Sequence, residues 1–104
     1  MVWEFWYNGN MLKMMGNDIW RSGQKVGWVE ANYVRDHDGK KLGYFNGNFI
    51  FGMDGHKLAY VEGDYLYSES GSATKISLDK VNEGIEGSML PEIGKCAVYM
   101  FIGV

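Results

Sequence analysis

The sequence predicts an all-β fold, mainly an antiparallel meander of about nine short strands with two-residue turns. Three observations predict it. A motif recurs every 16 residues, marked by Gly23, Gly39, Gly55 and Gly71. Pairs such as Asp38-Gly39, Asn46-Gly47 and Asp54-Gly55 fall where that period requires reversals, and these pairs tolerate the positive φ of tight hairpin turns. The chain also combines 15 Gly with a single Pro and 15% aromatic residues, the balance expected of pleated strands joined by turns.

The period fixes each element in turn. Asn32-Tyr-Val-Arg-Asp-His-Asp-Gly-Lys-Lys-Leu-Gly-Tyr-Phe-Asn-Gly aligns without a gap on Asn48-Phe-Ile-Phe-Gly-Met-Asp-Gly-His-Lys-Leu-Ala-Tyr-Val-Glu-Gly. A third copy opens at Asp64-Tyr-Leu-Tyr-Ser-Glu-Ser-Gly71, and Ser22 to Ala31 supplies the second half of an earlier one. Counting two six-residue strands and two turns per copy places strands near 32–37, 40–45, 48–53, 56–61 and 64–69. The same count run backward gives strands near 24–29, 18–21 (shortened), 10–15 and 2–7, with turns at Glu30-Ala31, Ser22-Gly23, Gly16-Asn17 and Asn8-Gly9. Glu62-Gly63 and Ser70-Gly71 close the series.

Two-residue turns fix the pairing, so side chains sort onto two faces. One face is broad and aromatic. It takes Trp28, Tyr33, Tyr44, Phe49, Tyr60 and Tyr65, with a second row of Trp3, Met14, Ile19, Val26, Arg35, Leu42, Phe51, Leu58 and Tyr67. The other is narrow: Gly27, Val34, Gly43, Ile50, Ala59 and Leu66, flanked by Lys25, Asp36, Lys41, Lys57 and Ser68. Six buried aromatic side chains represent a gross gain on the order of 20–40 kcal/mol before entropy, so the aromatic face is expected to be covered. Either the meander curls until that face lines a barrel or roll, or a second copy of the chain covers it. Small residues alternating with Val, Ile and Leu on the other face predict a close approach there, with the C-terminal tail as the candidate.

The repeat fails from Ser72 onward, so a single domain spanning 1–104 divides into a repeat region of about 18–71 and a non-repeating segment, 72–104. Pro91 suits the first turn of a helix. Cys96-Ala-Val-Tyr-Met-Phe-Ile is apolar on every side, which fits a closing strand or a short buried helix; β-branched and aromatic content favours the strand.

Charge and composition exclude several classes. Ten basic against 13 acidic residues give a net charge of -3, where nucleic-acid binders carry a basic excess, so no nucleic-acid partner is expected. The apolar run at the end is far short of the ~20 residues of a spanning helix, so no membrane role is expected. The opening residues carry an acid and no cleavage-site pattern, which does not read as a secretory signal. The lone Cys96 forms no internal disulfide and fits a reducing, cytoplasmic setting as a buried thiol.

No segment carries a catalytic or cofactor signature. His37 and His56 flank Asp-Gly turns, but the register sets them about three strands apart, roughly 14 Å, too far for one ligand sphere. Asp38 and Asp54, about 10 Å apart, are wider than retaining glycosidase pairs and read as turn formers. There is no Gly-x-Ser-x-Gly elbow and no phosphate-cradling glycine loop. No catalytic residue, metal or cofactor is therefore assigned. Lys25, Lys41 and Lys57 form a ladder that reads as a solvated edge or as a contact for an anionic partner. Arg35 reads as a cation-π contact or as an anchor for a bound acid, and Arg21 shares its face. Seven methionines, among them Met11, Met14 and Met15, add adaptable contacts of the kind used at interfaces.

The repeat Asn/Asp-aromatic-aliphatic-x-x-x-Asp/Ser-Gly-x-Lys-Leu/Val-Gly/Ala-Tyr/Trp-Val/Phe-x-Gly resembles tandem short β-hairpin repeats of bacterial proteins of unassigned function. Val34-Arg-Asp-His-Asp-Gly-Lys-Lys-Leu-Gly-Tyr-Phe45 is also similar to the opening hairpin of the PRC-barrel family, a resemblance that implies a small β-barrel docking other macromolecules.

The residues themselves point to a non-enzymatic binding or protein-interaction module. Its contact residues are Trp28, Tyr33, Arg35, Tyr44, Phe49, Tyr60, Tyr65 and Tyr67, since tyrosine offers a large apolar body with a polar tip. Self-association as a homodimer, or another protein, supplies the partner. The rival readings are a small apolar or sugar-like molecule in a pocket between the rings, and a cryptic hydrolase built on a histidine and a carboxylate.

Overall fold

The computed structural model describes residues 11–69 and 75–103. The predicted strand at 2–7, with Trp3, and the turns at Asn8-Gly9 and Ser70-Gly71 lie outside the described residues.

The meander is there. Strands β1 (Leu12–Met15), β2 (Asp18–Arg21), β3 (Gln24–Glu30), β4 (Tyr33–Asp36), β5 (Lys41–Asn46), β6 (Phe49–Gly52), β7 (Lys57–Glu62) and β8 (Tyr65–Ser68) follow the sixteen-residue count, each pairing antiparallel with the next. The non-repeating segment adds β9 (Lys75–Ser77), helix α1 (Leu78–Gly84), β10 (Ile85–Glu86), helix α2 (Glu92–Val98) and a π-helical turn, Tyr99–Gly103. The brief alternation at Lys75-Ile76-Ser77 thus becomes a strand on β8. Cys96–Val98 is a helix where propensity favoured a strand. Pro91 stands at the N-cap of α2, Glu92 lies in its first turn, and Gly94, Cys96, Ala97 and Val98 are buried, so the start of the run that looks like a strand packs as a core helix.

Among the described residues ten strands lie in the order β10-β1-β2-β3-β4-β5-β6-β7-β8-β9, an open sheet in which β9 and β10 are opposite edges. Flat, those edges would stand about 43 Å apart at the usual strand spacing. Yet α1 joins them with seven residues, about 10 Å of helix. The sheet must therefore curl, with α1 across the gap. Ser77 starts the bridge: its hydroxyl accepts from the Asp79 backbone N–H at 3.1 Å.

The curl places the narrow face inside, which corrects the expectation that the aromatic face would line a roll. Val34, Ile50, Ala59 and Leu66 are buried there with Val29 and Phe45, against Val81 of α1 and Cys96, Ala97 and Val98 of α2. The predicted close approach is also there, and the tail makes it. A Cβ on Gly43 would lie 2.2 Å from the Phe101 ring, and one on Gly27 would lie 2.8 Å from Ile102. Arg21 reaches in from β2 and donates from Nη2 to the Ile102 carbonyl.

Two departures from ideal two-residue turns re-sort some side chains. The Asp-Gly reversals are three-residue loops: Asp36 N–H donates to the Lys40 carbonyl and Gly52 N–H to the His56 carbonyl, both at 3.0 Å. Gly39 and Gly55 there adopt φ of 87° and 89°, the left-handed residue that ends such a loop. The extra residue is absorbed by a bulge before the predicted pairs Val34↔Gly43 and Ile50↔Ala59 resume. The bulges turn Leu42 toward the core, and Lys41 and Lys57 out onto the aromatic face opposite Arg35 and Phe51. A bulge in β2–β3 pairs Ile19 with Gly27, so Ile19 and its neighbour Met14 are core rather than aromatic-face residues. The turns at Gly16-Asn17 and Ser22-Gly23 fall as predicted, while three others fall one residue later, at Ala31-Asn32, Gly47-Asn48 and Gly63-Asp64, with φ of 56°, 61° and 62° at the first position. That slip moves the register by a pair and leaves the faces unchanged.

Candidate functional site: an outward aromatic band with a lysine ladder

The predicted contact residues share the convex face, in rows staggered by the bulges and slipped turns. The pairing runs Asp18–Trp28–Arg35–Lys41, then Glu30–Tyr33–Tyr44–Phe51–Lys57, then Asn46–Phe49–Tyr60–Tyr67–Lys75. Each row begins on an acid or amide and ends on a lysine. Trp28, Tyr33, Tyr44, Phe49, Phe51, Tyr60 and Tyr67 are half-buried and Tyr65 is exposed.

Ring contacts make the band continuous from Tyr33 to Tyr65. Tyr44 stacks on Phe51 at 5.0 Å and 16°, and Tyr60 on Tyr67 at 5.2 Å and 18°. Tilted contacts of 5.6–6.5 Å join Tyr33 to Tyr44, Phe49 to Phe51 and Tyr60, and Tyr65 to Tyr67. This is the favoured offset or tilted geometry for ring quadrupoles. Trp28 stands apart from this chain, beneath the Gly39 turn.

Lysines complete the surface. The ammonium groups of Lys25, Lys41, Lys57 and Lys75 stand 4.9, 4.3, 4.1 and 4.4 Å from the ring centres of Trp28, Tyr33, Phe49 and Tyr65, one per hairpin. Lys41, Lys57 and Lys75 each lean from the end of one row onto the first ring of the next. The sequence placed Lys25, Lys41 and Lys57 on the narrow face. Reading His37-Asp38-Gly39 and Met53-Asp54-Gly55 as three-residue loops is the signal that would have turned Lys41 and Lys57 over.

Arg35 is engaged within the fold: its Nε lies 3.0 Å from Glu30 Oε1, and Nη1 donates to the Gly39 carbonyl at 2.7 Å. The histidines sit on the loops. His56 Nδ1 lies 2.8 Å from Asp54 Oδ2, and that hydrogen bond holds the Asp54 carboxyl below its ordinary range and raises His56. His37 Nε2 lies 3.4 Å from Asp38, and both side chains are exposed. Among the described residues no three His, Cys, Asp or Glu side chains converge as metal ligands. Cys96 is buried in α2, and burial first, then the Glu92 charge, pushes its thiol up to about 12, which removes it as a nucleophile.

A cleft of about 580 Å³ lies away from the band, at β1 and β2, lined by Met11, Leu12, Lys13, Met15, Trp20, Ser22, Gly23 and Glu86. No helix among the described residues is long and apolar enough to cross a membrane.

These features define a class: a curled meander of tandem hairpins, closed inside by its own C-terminal helix and faced outside with rings. The chain belongs to the 4-fold beta flower family, whose model matches residues 20–95. That span takes in four successive hairpins, from β2–β3 to β8–β9, apart from the first two residues of β2, and runs into α2. No curated protein and no solved structure matches the chain. The closed small barrel that the PRC-barrel resemblance implied is not formed by the described strands, whose order ends on β10 and β9.

Proposed function

We propose that the protein is a non-enzymatic interaction module whose contact surface is the convex aromatic band. The observation that carries this is that the rings are not needed as core. The concave face, with α1 and α2, buries the hydrophobic interior, while seven rings in unbroken contact remain partly open to solvent outside. Contiguous partly exposed apolar surface of this kind, rimmed by charge, is typical of protein contact sites. Tyrosine hydroxyls supply polar tips at little entropic cost. A cytoplasmic setting fits the buried, unpaired Cys96.

A second copy of the chain is the first partner to test. Sedimentation of the purified protein over a range of concentrations reads it directly. Association that is lost in a Tyr44→Ser/Tyr60→Ser variant of unchanged circular dichroism supports the band as the contact. Association that survives both substitutions places the contact elsewhere. The small-molecule alternative has less support, because the cleft lies outside the band and, among the described residues, Trp20 is its one aromatic wall.

A further inference from the structure

We infer that the band takes an acidic segment of a partner polypeptide, held by the ammonium groups of Lys41, Lys57 and Lys75 and by the tyrosine hydroxyls between them. This rests on the band being the contact surface and adds what that surface recognises.

The charges on the band are unequal in their engagement. Lys25 is held by Asp18 at 3.0 Å and Arg35 by Glu30 at 3.0 Å. Among the described residues no carboxylate pairs with Lys41, Lys57 or Lys75, whose ammonium groups each lie over a ring. Glu62, opposite Tyr65, stands at the margin of the band. The three cations recur at every second strand, β5, β7 and β9, so they follow one another about 10–12 Å apart along the stagger of the rows. An extended chain that crosses the strands meets a cation at each such step.

The choice of a polypeptide follows from what the rings leave open. Tyr44 and Phe51, and Tyr60 and Tyr67, already lie face to face, and Tyr33, Phe49 and Tyr65 carry an ammonium over the ring. Nucleobases bind single-stranded readers by stacking on free ring faces, and here those faces are taken. Ammonium and phenol donors remain, and carboxylates accept from both. The chain as a whole is acidic, at -3, so a long polyanion reaching beyond the band meets repulsion that a short acidic segment avoids. A second copy laid band to band sets lysine ladder against lysine ladder, which like-charge repulsion opposes.

The test is fluorescence anisotropy of a dye-labelled peptide of a dozen glutamates titrated with the full chain at low salt. A glutamine peptide, an oligothymidylate of equal length and phosphatidylserine vesicles are the other arms. The glutamate peptide is expected to bind, the glutamine peptide not, and raising salt from about 50 to about 300 mM should weaken binding about tenfold. Lys41→Glu/Lys57→Glu should weaken it about tenfold or more, and Lys41→Met/Lys57→Met, which keeps side-chain bulk over the rings, should weaken it in the same direction. Lys80→Glu on α1 should leave it unchanged. Absence of saturable glutamate binding, tighter binding of oligothymidylate or vesicles, or equal loss in Lys80→Glu overturns the inference. If the glutamate peptide fails while the wild type self-associates through Tyr44 and Tyr60, the band stands as an interface and the acidic partner falls. If the peptide binds and Tyr44→Ser/Tyr60→Ser leaves binding unchanged, recognition by the lysines stands and the aromatic reading falls.

Discussion

Adjacent residues of β6 live in opposite worlds: Ile50 is fully buried, while Phe49 and Phe51 on either side of it stay partly in solvent. Hydrophobicity alone does not produce that order, because the rings have more apolar area to bury than the isoleucine. Volume does. A sheet whose edges are tied by seven residues of α1 has a narrow concave side, and α2 with the π-helical turn already fills it. Gly, Ala, Val, Ile and Leu fit between strand and helix, and the large rings take the convex side, where neighbouring strands splay and leave room. Phe45 is the exception that fits the rule. It reaches inside where Gly94 of α2 offers no side chain, and a Cβ there would lie 3.2 Å from its ring.

The sharpest way to break the concave side is to add bulk where it has none. Gly43→Val should cost about 3 kcal/mol or more, because its Cβ would lie 2.2 Å from the Phe101 ring and 2.5 Å from the Phe51 carbonyl oxygen. The oxygen belongs to backbone and has no easy escape. Urea unfolding at constant m-value measures the cost, and an unchanged midpoint would show that the tail does not rest on β5.

Much of this contrast was legible in the sequence. The sixteen-residue period placed β2 to β8 within a residue or two, and the glycines at 27 and 43 announced a close approach by the tail. The direction of curl was not legible, since it depends on α1 joining β9 to β10, a connection no repeat foretells. Propensity favoured a strand for the tail because Val98, Tyr99, Phe101 and Ile102 are strand formers locally, and packing of the tail against the concave face of the sheet overrides that preference. The ladder was half legible. Its lysines stood out by spacing, but their face depends on bulges, and each bulge re-sorts the residues between itself and the loop while the pairs beyond it keep their faces.

Next in size is the contrast within one sheet. Ile50→Ala should lose about 2–4 kcal/mol, the transfer energy of the side chain plus the cavity it leaves under α2. Tyr60→Ala, on the convex side of the neighbouring strand, should lose about 1–2 kcal/mol, from partial burial and the stack on Tyr67 at 5.2 Å. Parallel denaturation of the two variants tests the inside-outside assignment. If Tyr60→Ala proved the more damaging, the band would be core and its role as a contact surface would fail.

The smallest effect separates two loops that the repeat makes equivalent. In residues 36–40, Asp36 Oδ1 accepts from the backbone N–H groups of Asp38 and Lys40, at 2.9 and 3.0 Å. In residues 52–56 that acid is replaced by Gly52, and Asp54 takes over, accepting from the His56 N–H at 3.1 Å and bonding the His56 ring at 2.8 Å. In the second loop the carboxylate that holds the turn also bonds an imidazole, whereas in the first the His37 ring meets Asp38 and leaves Asp36 to the backbone. His56 is raised above its ordinary 6.5, chiefly by the Asp54 hydrogen bond, so its contribution is complete below about 6.5 and fades as pH rises through the folded value. Asp54 is lowered below 3.8 by the same bond, so its contribution is complete above about 3.8 and fades as pH falls through its folded value. The pair is intact between those limits. Both groups are solvent-exposed, so the effect belongs to the loop and leaves global stability nearly flat. Proton NMR of the His56 ring reads it: Asp54→Asn should bring the titration back down toward the ordinary histidine value, while Asp36→Asn should leave His56 where it is. A His56 titration indifferent to Asp54→Asn would mean that the second loop is held, like the first, by backbone donors alone.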